Sequence, residues 1–391
     1  MPSAEYFPVL SPDFVLRSLE APYVYNIAED QLYELDEEAF EFLKKCDGKH
    51  SSSRIIPESE KESIEYMQSE GMLLMSAGVR KIKVSKSPNP SLRYLLLNIT
   101  EKCNLKCKHC YLGRSGNKDI EIGLFEKAVS QFEEMGGLKL MISGGEPLMH
   151  ARFWELLESL SSHELRIVIL SNGTLIDRKT AKKLSEYVHE VQVSIDGIRS
   201  HDILRGKGSF DKAISGISAL SGFNIPVSIA TMVHRYNTGE FDEMHKLFSE
   251  MEILSWSVDV PSIVGNLEEN PDYMPDMDEA ASLLKYGFGG GAHESTGDYT
   301  CGSHLCSVSP DGSVSKCGFF DDEPVGDVND LRKAWNELCR AYLWGLDKLD
   351  CRDCEMVCEC RGGCRFRAKQ YKGIFAPDPV LCHVNGVLSY L

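Results

Sequence analysis

The chain has 391 residues, 42% of them hydrophobic and 26% charged, with 14 cysteines and a net charge of −17. This length exceeds one ordinary domain and points to two or three. The acidity argues against nucleic acid as the main partner, because a phosphate backbone is met by a basic footprint.

No run approaches eighteen consecutive apolar residues, so no membrane span is expected. Met1 to Leu10 lacks the basic-then-apolar pattern of a signal peptide. The expected location is cytoplasmic, where clustered cysteines bind metal more often than they form disulfides.

Residues 1–84 read as a small acidic module. Tyr23–Ile27 and Leu32–Leu35 are expected strands around a turn at Glu29-Asp30. Glu37–Cys46 places Ala39, Phe42, Leu43 and Cys46 at helical spacing, and Gly48 closes it. Ser59–Glu70 is a second expected helix, followed by the apolar stretch Met72–Met75. The set fits a winged-helix-like module, and Ser85–Ser91 is a linker by composition.

From Leu92 the pattern becomes regular. Expected strands are Tyr94–Asn98, Leu138–Ile142, Ile167–Leu170, Val191–Ile195, Val227–Met232 and Ser255–Val260. Between them lie amphipathic segments at Leu124–Met135, Phe153–Leu160, Lys179–Tyr187, Phe210–Leu220 and Phe241–Met251. In the first of these, Leu124, Ala128, Phe132 and Met135 share a face. Strands alternating with helices imply an α/β fold with a parallel sheet. Six repeats over 92–265 imply a partial, open (β/α)6 barrel, with its chemistry at the C-terminal strand ends.

Residues 266–391 read as a connector, with a helix near Glu279–Tyr286 and a glycine hinge at Gly287, Gly289, Gly290 and Gly291, followed by a cysteine-rich domain. The glycines lack the flanking strand and helix of a phosphate loop.

The cysteines carry the chemistry. Cys103-Asn-Leu-Lys-Cys107-Lys-His-Cys110 follows the first barrel strand. Three thiolates in one loop can hold three irons of a cubane and leave the fourth open for chemistry. Zinc is the alternative; a structural zinc site wants four ligands, and His109 could supply one.

This spacing resembles the radical S-adenosylmethionine (SAM) superfamily. The resemblance implies a 4Fe-4S cluster on Cys103, Cys107 and Cys110, with SAM chelating its open iron. Reductive cleavage of SAM then yields a 5′-deoxyadenosyl radical that abstracts hydrogen from substrate. Other strand ends carry the same resemblance. Ser143-Gly144-Gly145-Glu146-Pro147 is similar to the motif that approaches the SAM amino group, and Ser171-Asn172-Gly173 to a ribose-contacting turn. Ser194 and Asp196 end the fourth strand. Arg205 is similar to an arginine that pairs with the SAM carboxylate.

After residue 300, Cys301, Cys306 and Cys317 precede Cys351-x2-Cys354-x5-Cys360-x3-Cys364 and Cys382. Ser313–Ser315 reads as a hairpin strand after the Asp311-Gly312 turn. This region resembles the SPASM extension of radical SAM enzymes, and with it the resemblance covers Leu92 to Cys382. It implies two auxiliary iron–sulfur clusters, one on Cys301, Cys306, Cys317 and Cys364, the other on Cys351, Cys354, Cys360 and Cys382. A pair of structural zinc sites is the alternative. Cys358 could substitute for a neighbour, while Cys46 and Cys339 read as buried structural cysteines.

The SPASM subset is rich in peptide-modifying enzymes. The N-terminal module is similar to domains that bind a leader peptide by adding it as a strand at a sheet edge. A structural cap is the other reading of that module. The expected function is maturation of a ribosomally made precursor peptide by hydrogen abstraction and crosslinking, with a low-potential ferredoxin or flavodoxin as electron donor.

The alternatives are an enzyme acting on a tetrapyrrole or other small molecule, an anaerobic sulfatase maturase, and a non-catalytic electron-transfer protein. A sulfatase maturase carries an aspartate after the cysteine matching Cys317, where Gly318 and Phe319 stand here. No catalytic base is identified; Asp321 and Asp322 read as surface residues.

Overall fold

A computed structural model describes residues 6–52, 61–75, 78–113, 116–289 and 298–390. Met1–Glu5, Ser59 and Glu60 of the expected second helix, and Gly290 and Gly291 of the expected hinge lie outside the described residues. The chain forms two compact units. One comprises Met1–Arg93 with Ser130–Leu138 and His163–Arg166, and the other the remainder.

In the first unit, β1 (Pro8–Leu10) pairs antiparallel with β5 (Leu73–Met75). Strands β2 (Phe14–Ser18), β3 (Pro22–Asn26) and β4 (Gln31–Glu34) form an antiparallel meander, and β6 (Val84–Lys86) lies parallel to β2. The order β4-β3-β2-β6 leaves β4 at one edge.

Helix α1 (Glu37–Lys45) begins where Asp36 accepts from the Ala39 N–H at 2.7 Å, with Glu37 and Glu38 at its start and Lys44 and Lys45 at its end. Both charge placements suit the helix dipole. Phe40, Leu43 and Cys46 pack with Leu10, Phe14, Leu16 and Val24, and with Ile64 of α2 (Lys61–Ser69).

Strands β1, β2 and β6 were not expected from sequence. β1 and β6 are short, and β2 is buried along most of its length, Arg17 included, so no alternation marks it. Ser85 and Lys86 of the expected linker belong to β6.

The second unit is built on β7 (Tyr94–Asn98), β8 (Lys139–Ser143), β9 (Arg166–Ser171), β10 (Glu190–Ser194), β11 (Val227–Met232) and β12 (Ser255–Asp259). These stand in chain order in one parallel sheet. The crossovers carry α3 (Ile122–Glu134), α4 (Phe153–Ser159), α5 (Arg178–Leu184), α6 (His201–Arg205) with α7 (Ser209–Ser221), and α8 (Phe241–Glu250). Buried Phe125 and Val129 complete the α3 stripe begun by Ala128 and Phe132, while Leu124 is only half-buried.

The sheet does not stop at residue 265. β13 (Leu305–Val308) lies parallel to β7, and β14 (Ser313–Ser315) and β15 (Gly326–Asp327) follow as antiparallel strands. The connector helix, α9 (Met277–Leu283), starts two residues earlier than expected, because Asp276 caps it through the Glu279 N–H.

Strand alternation gives the sheet two faces. Leu95, Leu97, Leu140, Ile142, Ile169, Val193 and Ile229 are buried on one. The other carries an apolar patch of Tyr94, Met141, Val168 and Leu305 beside Lys139, Glu190 and Ser228, and ends in Asn98, Ser143, Ser194, Met232 and Asp259.

Candidate active site

The first cysteine loop is fixed before it begins. Thr100 donates to Asp119 at 2.6 Å, and Lys102 reaches the second oxygen of Asp119 at 2.6 Å. The β8 turn then lies directly against this segment. Gly145 N–H donates to Thr100 O and Glu146 N–H to Lys102 O, both at 2.8 Å. A Cβ on Gly144 would lie 2.3 Å from Thr100 O, and one on Gly145 the same distance from Lys102 O. Only glycine permits that approach, and Gly144 also has φ +139°.

Glu146 is fully buried. Its carboxylate accepts from Ser171 Oγ and from the Asn172 N–H, each at 2.9 Å, and from the Leu148 N–H at 3.4 Å. Burial outweighs these donors and pushes its pKa up to about 7. Asn172 passes the connection on. Its Nδ2 donates to Asn104 Oδ1 at 2.9 Å and lies 4.0 Å from Cys103 Sγ.

A second set of contacts grips Cys107. Lys108 N–H donates to Leu204 O of α6 at 2.9 Å, which seats Arg205 beside the loop. Arg205 is bound to Asp196 through Nε, approaches His109 Nε2 at 3.4 Å and reaches Cys107 Sγ at 3.9 Å. Asp196 is fully buried; burial alone would raise its pKa, but Arg205 and His109 outweigh that and hold it low. Burial drives His109 down to about 3, so its ring is neutral. Ser194, at the end of β10, is half-buried on the polar face.

Several partners were not foreseen. Asn266 Nδ2 donates to Cys107 O at 2.8 Å, and Asn266 N–H to Cys110 O at 3.0 Å, so the connector's first residue latches the loop. Asn98, 2% exposed, has no partner for Oδ1 among the described residues, although its Nδ2 donates to Ser307 at 3.3 Å. Its place at the end of β7 on the inner face was the only available signal.

The later cysteines fall into groups. Cys351, Cys354, Cys360 and Cys382 line one small cavity with Gly362, Asp378 and Leu381. Burial raises the thiol pKa of Cys351 and Cys360, and the nearby Arg365 guanidinium opposes it. Cys301 lies within electrostatic reach of both Cys317 and Cys364, whose thiols burial pushes up to about 11 and about 12.

Cys306 departs from the set expected for it. It stands in β13 between Leu305 and Ser307, which face the inner side, so its own side chain faces away. It is fully buried, and its ionisable neighbour is Cys339 of α10 (Leu331–Tyr342). Cys358, on α11 (Val357–Cys360), is exposed and does not line the cavity.

Residues 97–248 match the family model described as the Radical SAM superfamily. The chain belongs to the radical SAM superfamily. It is 29% identical over 322 residues to the mycofactocin maturase MftC of Mycolicibacterium smegmatis, covering 73% of this chain and 81% of that one. It is 24% identical over 371 residues to the AdoMet-dependent heme synthase of Oleidesulfovibrio alaskensis, covering 81% and 93%. The crystal structure of Streptococcus suis SuiB bound to precursor peptide SuiA superposes with a TM-score of 0.69 at 17% identity, over 94% of this chain and 98% of that one.

As a radical SAM enzyme the chain uses SAM and a 4Fe-4S cluster, and the residues present fit them. Three free thiols project from one loop. Among the described residues no three His, Cys, Asp or Glu side chains group around a single ion. A cubane asks less convergence, since its irons occupy separate corners. His109 turns Nε2 toward Asp196 and Arg205, while its buried Nδ1 has no hydrogen-bond partner among the described residues. No helix among the described residues is long and apolar enough to cross a membrane.

Proposed function

We propose that this radical SAM enzyme matures a ribosomally made peptide, abstracting hydrogen from the peptide to form a crosslink. When bound, the cluster and SAM supply a 5′-deoxyadenosyl radical. The chain's own residues position and shield it. Cys103, Cys107 and Cys110 hold the cluster. Gly144, Gly145 and Glu146, with Ser171, Asn172, Ser194, Asp196 and Arg205, form the wall against which SAM lies. Arg205 does so already neutralised by Asp196, so its part is to fix Cys107 as much as to meet a carboxylate.

Two auxiliary clusters belong to the proposal. The cavity bounded by Cys351, Cys354, Cys360 and Cys382 supports one. Cys301, Cys317 and Cys364 support the other, with Cys306 directed elsewhere. A low-potential ferredoxin or flavodoxin would supply the initiating electron.

The observation that carries the peptide reading is the N-terminal unit. Its meander ends at β4, an edge strand with Leu32 and Tyr33 half-buried between exposed Gln31 and Glu34, which can accept a further strand. The printed descriptions of MftC as a maturase and of SuiB as bound to a precursor peptide run the same way. A tetrapyrrole substrate is the second reading, favoured by the coverage of the heme synthase.

Anaerobic co-expression with each short open reading frame flanking the gene, followed by mass spectrometry, separates the two. A loss of about two mass units, the two hydrogens a crosslink removes, is expected. Unmodified peptides, with SAM cleavage intact in the isolated enzyme, would overturn the peptide reading.

A further inference from the structure

Asp378 is 1% exposed and stands immediately before α13 (Pro379–Val384), the helix that carries Cys382. Its oxygens serve two segments at once. Oδ2 accepts from the backbone N–H of Cys364 at 2.7 Å. Oδ1 caps α13 through the Val380 N–H at 3.0 Å. The backbone carbonyl of Asp378 accepts from the Cys382 N–H at 3.0 Å.

Arg367, on α12 (Arg365–Tyr371), spans both carboxylate oxygens, with Nη2 2.9 Å from Oδ2 and Nε 3.1 Å from Oδ1. Its Nη1 reaches Asp259, at the end of β12, at 2.6 Å. A Cβ on Gly363 would lie 2.4 Å from Asp378 Cβ, so the chain beside Cys364 closes tightly over this carboxylate.

We propose that Asp378 is a positioning residue whose one carboxylate holds the backbone N–H of Cys364 and the first turn of the helix that carries Cys382, so that the two auxiliary cluster sites form and fail together. The inference rests on the auxiliary-cluster reading above. One side chain holds Cys364 of one proposed set and caps the helix bearing Cys382 of the other, and Arg367 ties that junction to β12. Removing the carboxylate strands the N–H groups of Cys364 and Val380 and takes from the Arg367 guanidinium one of its two carboxylate partners, each a costly loss. Outer partners of metal ligands commonly govern affinity about tenfold or more in this way.

The test uses the full chain with Cys103, Cys107 and Cys110 changed to alanine, so that bound iron belongs to the later cysteines. Iron is restored anaerobically and challenged with a chelator. Electron paramagnetic resonance of the reduced protein reports each site, with Cys364→Ala and Cys382→Ala as single-site references. Melting of the iron-free chain reports the fold.

Asp378→Asn keeps shape but has one acceptor oxygen, so it can serve Cys364 or Val380 and not both. It should weaken iron retention about tenfold or more, with both signals lost in parallel. Asp378→Ser still caps α13 but is too short to hold Cys364, which separates positioning from helix stability. The proposal expects this variant also to lose the Cys382 signal while the iron-free chain melts cooperatively.

Loss of the Cys364 signal alone, or retention of both signals at unchanged chelator resistance, would overturn it. If the triple-alanine parent itself binds no iron, the auxiliary-cluster reading fails, and the proposal falls with it.

Discussion

Glu146 sits where a motif residue and a structural hub coincide. Its carboxyl is fully buried and holds the Ser171–Asn172 turn, and burial pushes its pKa from the ordinary 4.5 up to about 7. A carboxyl whose folded pKa is raised binds its proton more tightly in the folded state. Its contribution to stability is therefore full below about pH 4.5 and is lost as pH rises through about 7. The loss is on the order of 3 kcal/mol at most. Melting of the iron-free chain from pH 5 to 8 should show this decline, and Glu146→Gln should flatten part of it. An unchanged slope would place the Glu146 proton elsewhere. Gly144→Ala drives a Cβ into Thr100 O and should cost about 2 kcal/mol in the same melting assay, along with iron at the first loop. At this scale Glu146 and the two glycines were legible through their resemblance to a family motif, which is contiguous in the chain. The sequence did not mark Asp378 or Arg367, whose partners lie in other segments and bear no local pattern.

Helices and strands decide which cysteines can meet. Cys306 and Cys317 flank one hairpin, yet alternation along β13 turns Cys306 outward, toward Cys339, while Cys317 joins the inner cluster. Cys301→Ser should therefore lower auxiliary iron. Cys306→Ser should leave it bound and cost roughly 1–3 kcal/mol for a buried hydroxyl without a partner. Iron analysis beside melting curves distinguishes the two, and equal iron loss in both would return Cys306 to the ligand set. Spacing alone could not show this, since a cysteine count does not say which way a strand faces. The same region shows what loop neighbours do. Tyr111, next to Cys110, packs at 5.4 Å from Phe319, which stacks at 5.2 Å on Phe366, two residues past Cys364. An aromatic ladder thus joins residues beside three cysteines. Exchanging Phe319 for alanine should shift the resonance line shape of the cluster beside Cys317 with little change in iron content.

For the whole molecule, the regular barrel repeats were legible because each is a local alternation of period; all six strands fall within a residue or so of their expected limits. The N-terminal unit was half legible, since β1, β2 and β6 take their identity from pairing rather than pattern. Its edge strand gives the prediction at this scale. Leu35 N–H donates to Pro22 O, so alternation turns the Glu34 N–H outward. Glu34→Pro removes that outward donor and should weaken precursor-peptide binding at least tenfold, read by fluorescence anisotropy, without altering peptide-independent SAM cleavage. Equal binding would move recognition off that edge. The pairing of β13 with β7 carries a consequence for how the protein is made. Tyr94 finds its partner Leu305 only after roughly two hundred further residues have left the ribosome, a delay on the order of ten to forty seconds at usual elongation rates. Through that interval one flank of β7 is an open template, and the strand that leads into Cys103 is unfinished. Vectorial synthesis therefore lets the cysteine loop meet Leu204 and Asn266 before the sheet closes at β13, and it places the nascent chain's greatest exposure to mispairing before its C-terminal third emerges.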